Sequence, residues 1–380
     1  MEGVIKEITR IINLNFIMEV GGISVDKRFR GKISNEKNEY YIVNEISRLP
    51  YMTTLSAVKL VKNENSSIKF EKEIFCLVYF DKKYIEQVVF GKKFENEEEI
   101  QFFYQNLKLS FIKYTKVKRE YILELFDYIE TQNGIFYVME SYDHSLHDYL
   151  LELRQEKFIK QKNCEILFRP FIITTLTAIA SMHEESLNLC GLIDQTDIYI
   201  KKHPNHHTEI KFLHPLLSDL LTLLKIYSNH PPSFFAPEIY HLFQQKQTVL
   251  KQLNYYHSFE TVRTILKAFP NFIFDYWSAG VLFFEMLFGK TPFRVSCLEH
   301  FEEDLNEDKT YEMEWAIITE KIEKIITGCL IFKVEKRLNG GLIDKILRDL
   351  IKENSEDVQK EILEKSKAHG KEKKSYSLSY

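Results

Sequence analysis

From Lys32 to Phe90 the chain contains no glycine. A backbone that brings its amides close to phosphate oxygens relies on that residue, so a phosphate-cradling loop is excluded from this stretch. No Cys-x-x-Cys pair occurs, and the five cysteines, Cys76, Cys164, Cys190, Cys297 and Cys329, are scattered and odd in number. That argues against a disulfide framework and for reduced thiols in a cytosolic setting. A net charge of −4 and a pI near 6.3 leave no chain-wide basic field for nucleic acid. Glu2, Lys6, Glu7 and Arg10 come too early for a secretory signal. An uninterrupted membrane span is lacking as well. Pro170 to Met182 is too short, and Phe272 to Gly289 contains Asp275 and Glu285, so both read as buried core helices. There is no internal repeat.

What is present fits a globular chain, with 44% hydrophobic and 14% aromatic residues over 380 positions. Ile5, Ile8, Ile11 and Ile12 fall on one face of an amphipathic helix. Residues 1–50 therefore read as a helical extension closing in a polar loop, "RFRGKISNEKNEY". Residues 51–140 turn to short β-branched and aromatic runs: "LSAVKLV", "IFCLVYF", "YIEQVVF", "YILELFDYIE" and "GIFYVME". One acidic helical segment, "ENEEEIQFFYQNLKLSFIKY", interrupts them. Residues 141–352 are mostly helical, and 353–380 read as a flexible basic tail in which Lys371, Lys373 and Lys374 keep the chain soluble. The pattern predicts an α+β protein: a small sheet with one helix, a larger helical domain, and a cleft between them.

Four stretches carry a resemblance. "GIFYVMESYDHSLHDYL", "SFFAPEIY", "FDYWSAGVLFFEMLFGKTPF" and "VEKRLNGG" follow one another in the order and at roughly the separations of protein kinase motifs. The chain resembles that family over about residues 75–350, most closely in its helical half. The resemblance implies a bilobal protein kinase-like fold with a small β-rich N-lobe and a larger helical C-lobe. It implies that Glu238 pairs with Arg337, that Asp275 ties its helix to the backbone of the catalytic loop, and that Trp277 belongs to the same architectural set. It also implies a vestigial hinge at Glu140 and Tyr142, whose backbone would face adenine.

The positions of the chemistry depart from the family. Phosphoryl transfer needs a loop over the phosphates, a strand lysine, metal-binding Asp and Asn, and a base Asp. The lysine strand maps onto Val88 to Gly91, with Gly91 at the lysine and Val89 crowding the base; a slip of one residue would restore Lys92 on the other face. The helix that offers a glutamate shows Lys108 or Ser110 there, with Glu98 and Glu99 too early. In "LCGLIDQTDIYI", Cys190, Gly191 and Leu192 stand for His-Arg-Asp, and Asp197 stands for the metal-binding Asn. A slip puts Gly191 at the base, which is no better, and Asp194 is offset by two. The metal-binding Asp-Phe-Gly becomes His214-Pro215-Leu216, a poor magnesium site. The histidines from His203 to His207 read as a solvated turn rather than a zinc site, and Gly289 to Thr291 as no phosphate loop, since Phe284 fills the first glycine position.

These departures imply a pseudokinase: no enzyme activity, no ATP or magnesium, and a scaffold or allosteric role through protein partners. An atypical ATP-binding enzyme or nucleotide-regulated switch is the alternative. The candidate docking elements are the N-terminal Ile stripe and an insert at about 240–272 carrying Leu250, Leu253, Tyr255, Tyr256, Phe259 and Leu266. The expected setting is cytoplasmic, within a larger assembly or on the cytoskeleton, with no nucleic acid and no membrane span.

Overall fold

The computed structural model describes residues 31–35, 37–49, 52–62, 68–87, 97–114, 120–155, 164–184, 193–202, 208–213, 234, 236–238, 273–293, 318–353 and 355–369. The chain divides into two compact units, Met1–Lys83 with Leu125–Ser141, and Tyr84–Glu124 with Tyr142–Tyr380. It is a mixed α/β protein, with an antiparallel sheet early and helices later.

The first unit is a six-stranded antiparallel sheet. Its strands are β1 (Gly31–Ser34), β2 (Glu39–Arg48), β3 (Thr53–Lys62), β4 (Ile68–Asp81), β5 (Leu125–Glu130) and β6 (Gly134–Glu140), in the order β1-β2-β3-β4-β6-β5. Side chains alternate across a strand, so register decides which residues share a face. Ile42 lies opposite Ala57, which lies opposite Phe75; Leu55 faces Leu77, which faces Val138. These two rows form one buried apolar face, joined by Tyr40, Tyr79, Ile129 and Phe136. Burying each large apolar side chain is worth about 1.5–3 kcal/mol, and this face is what holds the sheet together.

Two expectations need correction here. The sheet begins at Gly31, so Gly31–Ser34 and Glu39–Arg48 of the expected helical extension are strand. Tyr40 and Ile42 are buried, while the half-buried Tyr41 and Val43 beside them are also apolar and mask the two-residue period. The composition of Tyr84–Phe90 predicts a strand, but Lys82–Ile85 forms a helical turn, and Val88 to Phe90 lie outside the described residues. The ladder explains the stop. Asp81 pairs with Gly134, the first residue of β6, and beyond it the Lys82 amide donates to the Asn133 carbonyl at 3.0 Å, so no partner strand remains.

The second unit carries the expected acidic helix as α1 (Glu97–Tyr114), then β7 (His144–Ser145), α2 (Leu146–Gln155), α3 (Cys164–Glu184), β8 (Ile198–Lys202) and β9 (Thr208–Phe212). After these come α4 (Ile273–Phe288), α5 (Glu320–Cys329), α6 (Gly340–Lys352) and α7 (Ser355–His369). Ser145 caps α2: the Asp148 amide donates to the Ser145 hydroxyl at 3.1 Å, and that hydroxyl donates to the Asp148 carboxylate at 2.6 Å. Phe168, Ile172, Leu176 and Ile179 of α3 are wholly buried against Trp277, Leu282 and Phe283 of α4. Helix α3 is the one described helix long and apolar enough to cross a membrane, and 56% of its most apolar window is buried inside the protein. The expected flexible tail is helical as far as His369. Val358 and Ile362, one turn apart, are buried, and Lys365 pairs with Glu323 of α5 at 2.6 Å.

Candidate functional site

The motif Asp-x-Trp-Ser-x-Gly on α4 reads as a set of tethers once each side chain is followed to its partner. Asp275, wholly buried, lies 2.8 Å from His183 Nε2 at the end of α3. The Ser278 hydroxyl donates to the Phe234 carbonyl at 2.9 Å, fastening the helix to the segment just before Ala236-Pro237-Glu238. Trp277 stacks on Phe293, with centroids 5.4 Å apart and planes 5° apart, and the Arg337 guanidinium lies over the Trp277 ring at 5.0 Å. Gly280 permits the approach of α5, because a β-carbon there would stand 2.7 Å from Cys329 Cβ. Burial under that contact pushes the Cys329 thiol up to about 12, so it stays protonated and unreactive.

The expected pair is present. Arg337 makes a two-pronged contact with Glu238, its Nη2 donating to Oε2 at 3.0 Å and its Nη1 to Oε1, while Nε donates to the Ile331 carbonyl at 2.9 Å. The Arg337 side chain is fully shielded from solvent, which makes the pair a buried one. Asp275 meets His183, a residue the motif reading does not assign; residues 185–192, whose backbone it was expected to hold, lie outside the described residues. A lone imidazole closing an otherwise apolar run in "TAIASMHE" is the available signal for it. A further buried node also escapes the sequence. Glu165 accepts from the Thr319 hydroxyl at 2.8 Å, from the Thr319 amide, and from Arg169 Nη1 at 3.0 Å. Burial raises the Glu165 pKa, and those donors offset part of the rise.

The positions that would handle phosphate look different. Strand β4 pairs with β6, and Val88 to Gly91 lie outside the described residues. Its stretch from Phe75 to Phe80 is buried throughout and apolar, with no lysine. Lys108 on α1 is solvent-exposed.

In the loop before β8, Asp194 and Asp197 are both buried and bound within their own turn. The Asp194 amide donates to Asp197 Oδ2 at 3.1 Å, the Asp197 amide to the Asp194 carbonyl at 3.1 Å, and the Thr196 amide to Asp194 Oδ1 at 2.6 Å. The Leu213 amide donates to the Asp197 carbonyl at 2.8 Å, which fixes the turn on the end of β9.

Glu140 ends β6 half-buried; the Tyr142 ring is buried against Tyr199 of β8, centroids 4.1 Å apart, and the Asp143 amide donates to the Ile200 carbonyl at 3.0 Å. Gly91, Lys92, Leu192, His214 and the histidines from 203 to 207 lie outside the described residues, as do residues 1–30 and the insert at 240–272. Gly289 ends α4 at φ 69°, its amide donating to the Glu285 carbonyl at 2.8 Å; this is a helix stop, as its sequence setting implied. Among the described residues no three His, Cys, Asp or Glu side chains converge as a metal site.

No family model and no curated protein matches the sequence. Among solved structures, the chain is similar to the crystal structure of Rad53 1–466 in complex with AMP-PNP, with a TM-score of 0.51 and 15% identity. The match covers 81% of this chain and spans 64% of that one. The likeness is one of fold, and that fold is protein kinase-like.

Proposed function

We propose that this chain is a kinase-fold protein that has given up phosphoryl transfer and acts by binding other proteins. The observation that carries the reading is the apolar stretch Phe75–Phe80 of β4, which pairs with β6: it is buried and holds no lysine to reach a phosphate. The absence of glycine from Lys32 to Phe90 supports it, since amides that approach phosphate oxygens closely rely on that residue. Asp197 adds to this, with one carboxylate oxygen taken up by the Asp194 amide. Stabilising the charge on the transferring group lowers the barrier more than any other effect in this chemistry, and these substitutions remove its sources together.

The test is a thermal shift with AMP-PNP, with and without magnesium, alongside a labelling assay with ATP. A ligand that binds only the folded state at a hundred times its Kd stabilises by about 2.7 kcal/mol, so binding is easy to see. No shift and no labelling are expected. ATP-dependent labelling by pure protein, lost in Lys92→Ala or Asp194→Asn, would overturn the reading in favour of an atypical enzyme. For the binding role, a partner recovered with the full chain should be lost when residues 1–50 or the 240–272 insert are deleted.

A further inference from the structure

Strands β1 and β5 are the two outer strands of the six-stranded sheet, yet a carboxylate on β5 is bound by the turn that leaves β1. Asn35 Nδ2 donates to Asp127 Oδ1 at 2.6 Å, and Asn38 Nδ2 donates to Asp127 Oδ2 at 2.9 Å. The Tyr40 hydroxyl donates to the same Oδ2 at 3.3 Å, and the Tyr128 amide to Oδ1 at 2.9 Å. Asp127 is only 8% exposed, so these four donors replace the water it has lost.

The turn is shaped for the task. Asn35 Oδ1 accepts from the amides of Lys37 and Asn38 at 2.9 and 2.8 Å, which fixes its amide group toward β5. That same Nδ2 approaches the Tyr128 carbonyl at 3.5 Å. Strand β5 pairs with β6 along one side, and on this side a side-chain amide stands where a neighbouring strand would donate.

We propose that the turn at residues 35–38 is a strap, fastened on the Asp127 carboxylate, that closes the curl of the sheet and guards the outer edge of β5. The Asp127 carboxylate, with two acceptor oxygens, is the buckle, and Asn35 and Asn38 are the tongue. The strap is indifferent to whether the chain is an enzyme.

Hydrogen exchange on the full chain tests it. In Asn35→Ala/Asn38→Ala, amides of residues 31–42 and 125–130 should exchange at least about tenfold faster, while those of β3 and β4 keep their parent rates. Asp127→Asn, which replaces an acceptor oxygen by a donor, should speed the same two segments. Unchanged exchange at 125–130 in the double variant would overturn the proposal. So would an equal acceleration across all six strands, since that is loss of stability and not release of an edge.

Discussion

The surroundings of α4 and the turn before β8 satisfy their polar groups in opposite ways. Around α4 the partners are far apart in sequence: Glu238 reaches Arg337, Asp275 reaches His183, and Ser278 reaches the Phe234 carbonyl. In the turn before β8 the partners are near neighbours, Asp194 with Thr196 and Asp197. Long-range pairs hold distant elements in place. Local closure shapes one turn and fixes no distant element.

The comparison can be broken most sharply at the buried ion pair. Arg337→Ala leaves Glu238 without its partner and removes the cation over Trp277, and a loss of about 3–5 kcal/mol in chemical denaturation is expected. A loss under about 1 kcal/mol, the range of a surface pair, would mean that this contact does not hold the frame. Gly280→Ala comes next. Its added methyl meets Cys329 Cβ at 2.7 Å, and overpacking of this kind costs about 1–3 kcal/mol.

Glu165→Gln is a milder probe with a pH signature. Burial raises the folded-state pKa of Glu165, so its contribution is fully present below the ordinary carboxyl pKa and is lost as pH rises through the folded value. Glutamine does not titrate, so the variant should gain on the parent as pH is raised across that window. A constant difference between the two would show that burial does not dominate at Glu165. The smallest effect belongs to the turn before β8. Asp197→Asn keeps an oxygen to accept from the Asp194 amide and should move stability by no more than about 0.5 kcal/mol. It should also leave the response to AMP-PNP and magnesium unchanged; a shift in melting temperature confined to this variant would reopen the nucleotide-binding reading.

The strong motifs are legible in the sequence because they are short, ordered and spaced. Glu238 and Arg337, 99 positions apart, meet as the resemblance implied. Strand β2 escapes a local reading because only Tyr40 and Ile42 are buried, while Tyr41 and Val43 beside them are apolar too and hide the alternation. Tyr84 and Ile85 read as strand because "YIEQVVF" has strand composition, while Asp81 is where the ladder with β6 ends and Lys82–Ile85 turns helical. Helix α7 resembles a tail because Val358 and Ile362 are a sparse apolar signal among charged residues.

Composition and local pattern alone determined the apolar helices α3 and α4, the strand-rich segment before them, and the absence of glycine between Gly31 and Gly91. These follow from periodicity and residue type, which act over a few positions. Only the tertiary structure decided that His183 meets Asp275, that Asp194 and Asp197 turn inward on each other, and that Asp127 is held from the far edge of its sheet. A buried polar group takes whichever donor or acceptor the packing of distant elements brings within about 3 Å, and no local pattern encodes that choice.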